Sequence, residues 1–290
     1  MNSNGVFSMV RLRLHVGQGT HRGALTVFPV WTDASPVTGL ATGATAEVDV
    51  AERAGAPSVD QLVVMNRSAK PTLLLAGELL EGGWQNRTLT ASTVLAPATP
   101  TVLPVLCVEH GRWGGETAHR RQARRAPVAL RPHLEQSDAQ ERVWRRVSGY
   151  SAVAGPSPTD SLTDRLDRAK VEAPDLTPLA GQSGVLIGIA GRPVALELFG
   201  SRRALSAHWR PLLEAAALDA LGRPAVRTTA ALARAFAERV QGTDLTAVRG
   251  AGAGRRYGGG GRIRVDDVRW RDRTVHLTAI DLTHPVLEAS

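Results

Sequence analysis

Hydrophobic and polar residues alternate from the start of the chain. Val10, Leu12, Leu14 and Val16 are interleaved with Arg11, Arg13 and His15, a period of two that predicts a strand with one wet face. Short apolar runs follow at Ala24–Trp31, Ala46–Val50, Gln61–Met65 and Pro71–Leu75, punctuated by Gly, Pro, Asn or Ser and too short for long helices. Thr88–Leu95 and Thr101–Val108 predict two more strands, and the Pro97–Pro100 connection would let them pair antiparallel. Residues 1–113 therefore read as the β-rich part of the chain.

After Trp113 the pattern becomes that of a charged helix. Ser137 with Gln140 three residues on is a capping-box signature, backed by the apolar positions Val143, Trp144 and Val147. Gly155–Pro158 reads as a connection to a second helix starting at Thr159–Ser161. SGVLIGIA and VALELF around Gly191-Arg192-Pro193 predict a hairpin. Helices are expected over Ser201–Leu221, kinked or split at Pro211, and over Thr229–Val240, with Leu232, Phe236 and Val240 on one face. Arg262–Val265 and Thr274–Ile280 alternate as strands, and the Gly-rich stretch at 250–261 before them reads as a flexible Gly/Arg hairpin loop rather than a phosphate loop, since neither a Walker Lys-Ser/Thr pair nor a helix start follows it. Strands, then helices, then strands without regular βαβ alternation predict an α+β fold: a single domain over 1–290, with residues 114–290 a mixed helical and hairpin half.

Composition narrows the function classes. Cys107 is the only cysteine, so a disulfide framework and a Cys-rich zinc site are excluded. The histidines are scattered without close ligand spacing, and no metal or other cofactor is expected. The opening residues lack a signal-peptide pattern, which predicts a cytoplasmic protein. The uncharged run Thr88–Val108 carries Pro97, Pro100 and Pro104 and is rejected as a membrane helix. Net charge is +8, and only Lys70 and Lys170 among the 35 basic residues are lysine. The basic excess sits in Arg112–Arg146 and Arg249–Arg273, both interrupted by acids and poor in stacking rings, so tight nucleic-acid binding is not expected.

Two segments carry candidate chemistry. Gly77-Glu78-Leu79-Leu80-Glu81-Gly82-Gly83-Trp84-Gln85-Asn86-Arg87 lies between strand-like runs, where functional groups tend to be displayed. Gly82 and Gly83 can turn backbone N–H groups toward an anion, and Glu78, Gln85, Asn86 and Arg87 add an acid, two amides and a guanidinium. The competing reading is a hairpin in which Glu78 and Arg87 pair with each other. Cys107-Val108-Glu109-His110-Gly111-Arg112-Trp113 ends the next strand, with Glu109 and Arg112 as carboxylate and anion clamp. Cys107 reads as a small buried hydrophobe. Both segments are expected at one end of the β-rich part.

AGELLEGGWQNRTL, then CVEHGRW, a QERVWRRV helix and a VALELFG strand together resemble the ADP-ribosylglycohydrolase- and rhodanese-phosphatase-superfamily-associated protein domain over roughly residues 10–221. The resemblance implies a link to NAD and ADP-ribose metabolism. On it rests the expectation of a protein that binds or processes a phosphate-bearing, ADP-ribose-type metabolite. Arg87 and Arg112 would hold the pyrophosphate near Gly82 and Gly83, Gln85 and Asn86 the ribose or amide groups, and Glu78 or Glu109 would act as base or ribose-hydroxyl acceptor; Trp113 or Trp84 would stack on a base. Two alternatives stand beside it: a non-catalytic interaction or homo-oligomerisation module with Trp84 as anchor, and weak nucleic-acid binding through the Arg-rich segments.

Overall fold

The computed structural model of the protein describes residues 7–10, 12–44, 46–55, 58–169, 175–250 and 252–288. The first six residues, Arg11, Lys170 and Ala251, which entered the sequence reading, lie outside this set. Period-two alternation builds a closed six-stranded barrel from Arg87–Leu89, Pro100–Cys107, Gln61–Asn66, Val48–Ala51, Ala118–Arg125 and Glu78–Gly82. Val50, Leu62, Val64, Leu80, Leu89, Leu103 and Val105 form its apolar core. Closure leaves these strands no open edge.

A ten-stranded antiparallel sheet stands beside the barrel and joins both ends of the chain. Its central strands are Arg273–Asp281, Arg192–Phe199, Gly184–Ile189 and Leu25–Thr32. One face, with Val27, Val185 and Ile187, packs on the helix Arg202–Ala220 through Leu205, Trp209 and Leu213. The other, with Phe28, Leu186 and Leu196, packs on the helix Ala230–Gln241 through Ala233, Phe236 and Val240. Burial on both faces is why Gly184–Ile189 reads as an unbroken apolar run. Strand content, 37%, exceeds helix content, 22%, so this α+β fold is dominated by its strands.

Several expectations need correction. Thr88–Leu95 is two strands in different sheets: Arg87–Leu89 pairs with Cys107–Val105 in the barrel, whereas Thr93–Leu95 pairs with Thr72–Leu74 in a separate three-stranded sheet. The charged helix expected directly after Trp113 is the barrel strand Ala118–Arg125, bulged near Ala123. Its buried basic side chains are tolerated because buried acids meet them: Arg121 faces Glu78, Arg125 faces Glu197, and the His119 imidazole, which burial holds below its ordinary range, is hydrogen-bonded to Glu52. The helix Ala139–Gly149 starts at Asp138, with no side-chain cap from Ser137. Pro211 neither splits nor ends the helix Arg202–Ala220, whose buried face outweighs a cost of about 3 kcal/mol. Leu232 is 44% exposed, and Ala233 and Ala237 take its place beside Phe236.

Nor is the Gly/Arg stretch at 250–261 a flexible loop throughout. Arg255–Gly259 is a strand paired on both sides, with Asp244–Val248 and Ile263–Trp270, and Tyr257 is buried. The glycines permit this: a Cβ on Gly259 would lie 2.1 Å from the Asp244 carbonyl oxygen.

One buried pair yields a pH test. Asp219, near the end of the helix Arg202–Ala220, accepts the Tyr150 hydroxyl at 2.6 Å and the Ala129 N–H at 3.1 Å. Burial pushes its carboxyl up to about 6 against the pull of these bonds. The folded state therefore holds this proton more firmly than the unfolded chain, whose carboxyl titrates near about 3.9. The contribution is favourable below about pH 4 and is lost as pH rises through about 6. Asp219→Asn should melt above the wild type at pH 7, by up to about 2–3 kcal/mol, with the difference gone near pH 4. Parallel pH–stability curves for the two proteins would refute this account.

Candidate functional site

The two motif segments meet at one end of the barrel. Gly82 and Gly83 (φ +101° and +55°) turn the chain out of the strand Glu78–Gly82, and a Cβ on Gly83 would fall 2.1 Å from His119 Nε2. Their N–H groups are engaged, Gly82 donating to Asn86 Oδ1 at 2.9 Å and Gly83 to the Ala118 carbonyl at 3.0 Å. Glu109 accepts the Asn86 N–H at 2.9 Å, the Thr159 hydroxyl at 2.7 Å, and both Nε and Nη2 of Arg112. Burial alone would push the Glu109 carboxyl up, but Arg112 and these hydrogen bonds hold it below the usual range. Arg112 also donates to the carbonyls of Gly82, Gly83 and Gly114. Gln85 donates to the Glu109 carbonyl, and the Asn86 amide donates to Ser161 and Thr163.

The structure thus gathers Gly82, Gly83, Gln85, Asn86, Glu109 and Arg112 into one knot whose donors and acceptors serve each other. Trp113, 60% exposed, and Trp84, 37% exposed, stand at its rim, where Gly114 N–H reaches the Trp84 carbonyl. Arg87 adjoins the knot through Gln85, and Glu78 lies at the far end of its strand; they do not pair with each other. Arg87, 2% exposed, points into the barrel, donates to Gln85 Oε1 and Cys107 Sγ, and lies 3.9 Å from Glu52. Burial pushes the Cys107 thiol up to about 11, in keeping with an inert core residue. Glu78 begins the strand whose other end carries Gly82; it accepts the Leu75 N–H at 2.8 Å and Arg121 at 2.7 Å. Although burial opposes it, Arg121 with the neighbouring His208 holds the Glu78 carboxyl below its ordinary range.

Two features escaped the sequence reading. One is a buried charge cluster between barrel and sheet, where Glu197 accepts from Arg125 at 3.0 Å, lies 2.7 Å from His276 Nε2, and is also bound by Arg131. A lone Glu within the otherwise apolar run VALELF was the available signal. The cluster also bears on the basic segments, because Arg121, Arg125 and Arg131 turn inward while Arg256 pairs with Glu135 and Asp266. The two Arg-rich segments therefore meet, with much of their charge already paired.

The second feature is a cleft of about 320 Å³ where the strand Arg192–Phe199 runs through Gly200 into the helix Arg202–Ala220. Ser201 caps that helix by accepting the Ala204 N–H at 3.2 Å. The first helical N–H groups have no intrahelical acceptor and carry the positive end of the helix dipole. Arg202, Arg269 and Arg273 line the cleft. Arg269 pairs with Asp267 at 2.6 Å, Arg202 donates to the carbonyls of Pro178 and Leu179 and Arg273 to that of Ser35, while the lining carboxylate Asp272 is paired by Arg255 at 3.0 Å. Val37, Leu198 and Phe199 supply an apolar wall. Ser183 also lines it; only 8% exposed, its hydroxyl has no hydrogen-bond partner among the described residues. The run Phe199-Gly200-Ser201-Arg202-Arg203, a strand passing directly into a capped helix with two arginines, was the signal for it. No group of three His, Cys, Asp or Glu side chains suited to a metal occurs among the described residues, and no described helix is long and apolar enough to cross a membrane.

No curated protein and no solved structure matches the chain. A family model does: the ARG and Rhodanese-Phosphatase-superfamily-associated Protein domain matches residues 13–280, which takes in the barrel, the knot, the cleft and nearly all of the large sheet. The match covers far more than half of the 290 residues, and the chain belongs to this family.

Proposed function

We propose that the protein binds a phosphate-bearing metabolite of the ADP-ribose type, and that the phosphate sits in the cleft at the start of the helix Arg202–Ala220. The family's association with the superfamilies in its name supports the class of metabolite. The observation that carries the location is a cleft at a helix N-terminus whose lining includes Arg202, Arg269 and Arg273 together with Ser183, whose buried hydroxyl has no partner among the described residues. Helix N–H groups and guanidinium forks are the donors a phosphate takes, and the apolar wall suits the body of a nucleoside or sugar.

Isothermal calorimetry with ADP-ribose, AMP, ribose 5-phosphate and phosphate-free adenosine tests this. Binding should require the phosphate. Arg273→Glu should weaken it at least about tenfold, which corresponds to about 1.4 kcal/mol. Ser183→Ala should weaken it by about tenfold or more, as expected for a lost hydrogen bond to a charged group, and should leave the melting temperature unchanged or higher because no native bond is removed. Adenosine binding as well as AMP, or an Arg273→Glu protein with unchanged affinity, would defeat the reading.

A second reading, an interaction or oligomerisation module, is favoured by one observation. The motif knot satisfies its own polar groups and holds Trp84 and Trp113 at the surface. In that role Glu109 and Arg112 act as the brace of a display loop rather than as base and clamp. A Trp113→Ala protein that keeps its fold and its ADP-ribose affinity but changes its sedimentation coefficient would support it.

A further inference from the structure

The cleft has a neighbour. A second cavity, of about 160 Å³, opens beside it, and Val37, Gly200 and Ser201 line both. The partition is a single chain crossing, in which the Val37 N–H donates to the Gly200 carbonyl at 2.7 Å. Arg202 and Arg203 fall on different sides because successive residues on a helix are turned by about 100°: Arg202 lines the first cavity and Arg203 the second. Lys70 is the other cation of the second cavity. Its backbone is fixed there, the carbonyl accepting the Asn66 amide at 2.9 Å and the Ser68 hydroxyl at 2.8 Å.

The second cavity contains no carboxylate among its lining residues, and neither Lys70 nor Arg203 forms an ion pair among the described residues. Of the hydroxyls on its wall, Thr42 is already engaged with Leu73 and His208, and Ser201 accepts the Ala204 N–H. The charge available there is therefore cationic and uncompensated. One phosphate group in the first cleft would leave it so, and the first cleft alone lies at the small end of the size range of about 300–1,000 Å³ usual for ligand sites.

We propose that the two cavities are two seats of one site whose ligand carries two separate anionic groups, one held beside Ser183 and Arg273 and the other between Lys70 and Arg203. This rests on the metabolite reading above and sharpens it: the preferred ligand is a doubly anionic, elongated phosphometabolite that straddles the helix start at Gly200 and Ser201. A ligand with a phosphate at one place only fills the first seat. A further terminal phosphate adds the second.

Calorimetry on the full chain with ADP-ribose and with ADP-ribose 1″-phosphate separates the two levels of the argument. For the wild type, the extra phosphate should tighten binding at least about tenfold. Lys70→Ala with Arg203→Ala should abolish that advantage while leaving ADP-ribose affinity within about twofold, and both residues are exposed, so the melting temperature should not move. Arg273→Glu should weaken both ligands together. An unchanged preference in the double variant, or no preference in the wild type, overturns the two-seat proposal and leaves the metabolite reading standing. Absence of binding by either ligand, or indifference to Arg273→Glu, overturns both.

Discussion

Glu197→Ala should destabilise the protein by about 3–5 kcal/mol, the cost of leaving a buried ion pair without its partner. The carboxylate is fully buried and bonded to groups from three places: Arg125 on a barrel strand, Arg131 in the short helix Arg131–His133, and His276 on the neighbouring strand of the large sheet. Burial would push it up, but the two arginines with His276 keep it well below the usual carboxylate range, so it enters the fold charged. Its removal strands two buried guanidinium groups. Arg125 is under particular load, since burial already brings its guanidinium down to about 10 despite Glu197. Glu197→Gln keeps the shape but not the charge and should fall between the two. Equilibrium denaturation by urea measures both, and an alanine variant with wild-type midpoint and slope would show that the cluster does not tie barrel to sheet.

The second large effect is expected at Arg87. It is the cation inside the polar end of the barrel, with Gln85 and Cys107 as hydrogen-bond partners and Glu52 at 3.9 Å, while Glu52 also accepts the Trp84 N–H and faces His119. Burial holds the His119 imidazole below its ordinary range against the pull of Glu52. Arg87 is thus the charge that keeps Glu52 compensated at neutral pH. Arg87→Ala should cost about 3–5 kcal/mol, and Arg87→Lys less, because the positive charge is kept, although a point charge cannot reproduce the guanidinium's spread of donors. Since the cleft is built from other residues, a folded Arg87→Lys protein should retain its response to ADP-ribose. Loss of that response with an unshifted melting temperature would return Arg87 to the role of anion clamp.

These expectations show how unevenly the site was legible. Gly82, Gly83, Gln85, Asn86, Glu109 and Arg112 stood out because polar residues crowd two strand ends, and the fold does bring them together. Residue type alone could not show whether Arg112 faces a ligand or the carbonyls of Gly82 and Gly83, because both acceptors present the same oxygen chemistry to a guanidinium. The cleft was harder to see. Ser183, Arg202 and Arg273 are far apart in the chain, and only the pairing of the strands Gly184–Ile189, Arg192–Phe199 and Arg273–Asp281 makes them neighbours.

Local periodicity by itself determined the strands Leu25–Thr32, Gln61–Asn66 and Pro100–Cys107, the 184–199 hairpin and the helices 202–220 and 230–241, because period-two and period-3.6 patterns record which side of an element meets the core. It did not show that Glu78–Gly82, read as part of a connection, is a barrel strand, or that among the described residues the Val10–Val16 alternation pairs as a strand only over Leu14–Val16. Tertiary structure alone decided that Ala118–Arg125 closes a barrel instead of starting a helix, and that Arg255–Gly259 is a strand instead of a loop. Both segments are polar or glycine-rich and carry no hydrophobic period. Their conformation is set by partners distant in sequence, the buried acids Glu52, Glu78 and Glu197 for the first and two flanking strands for the second, and no local pattern encodes such partners.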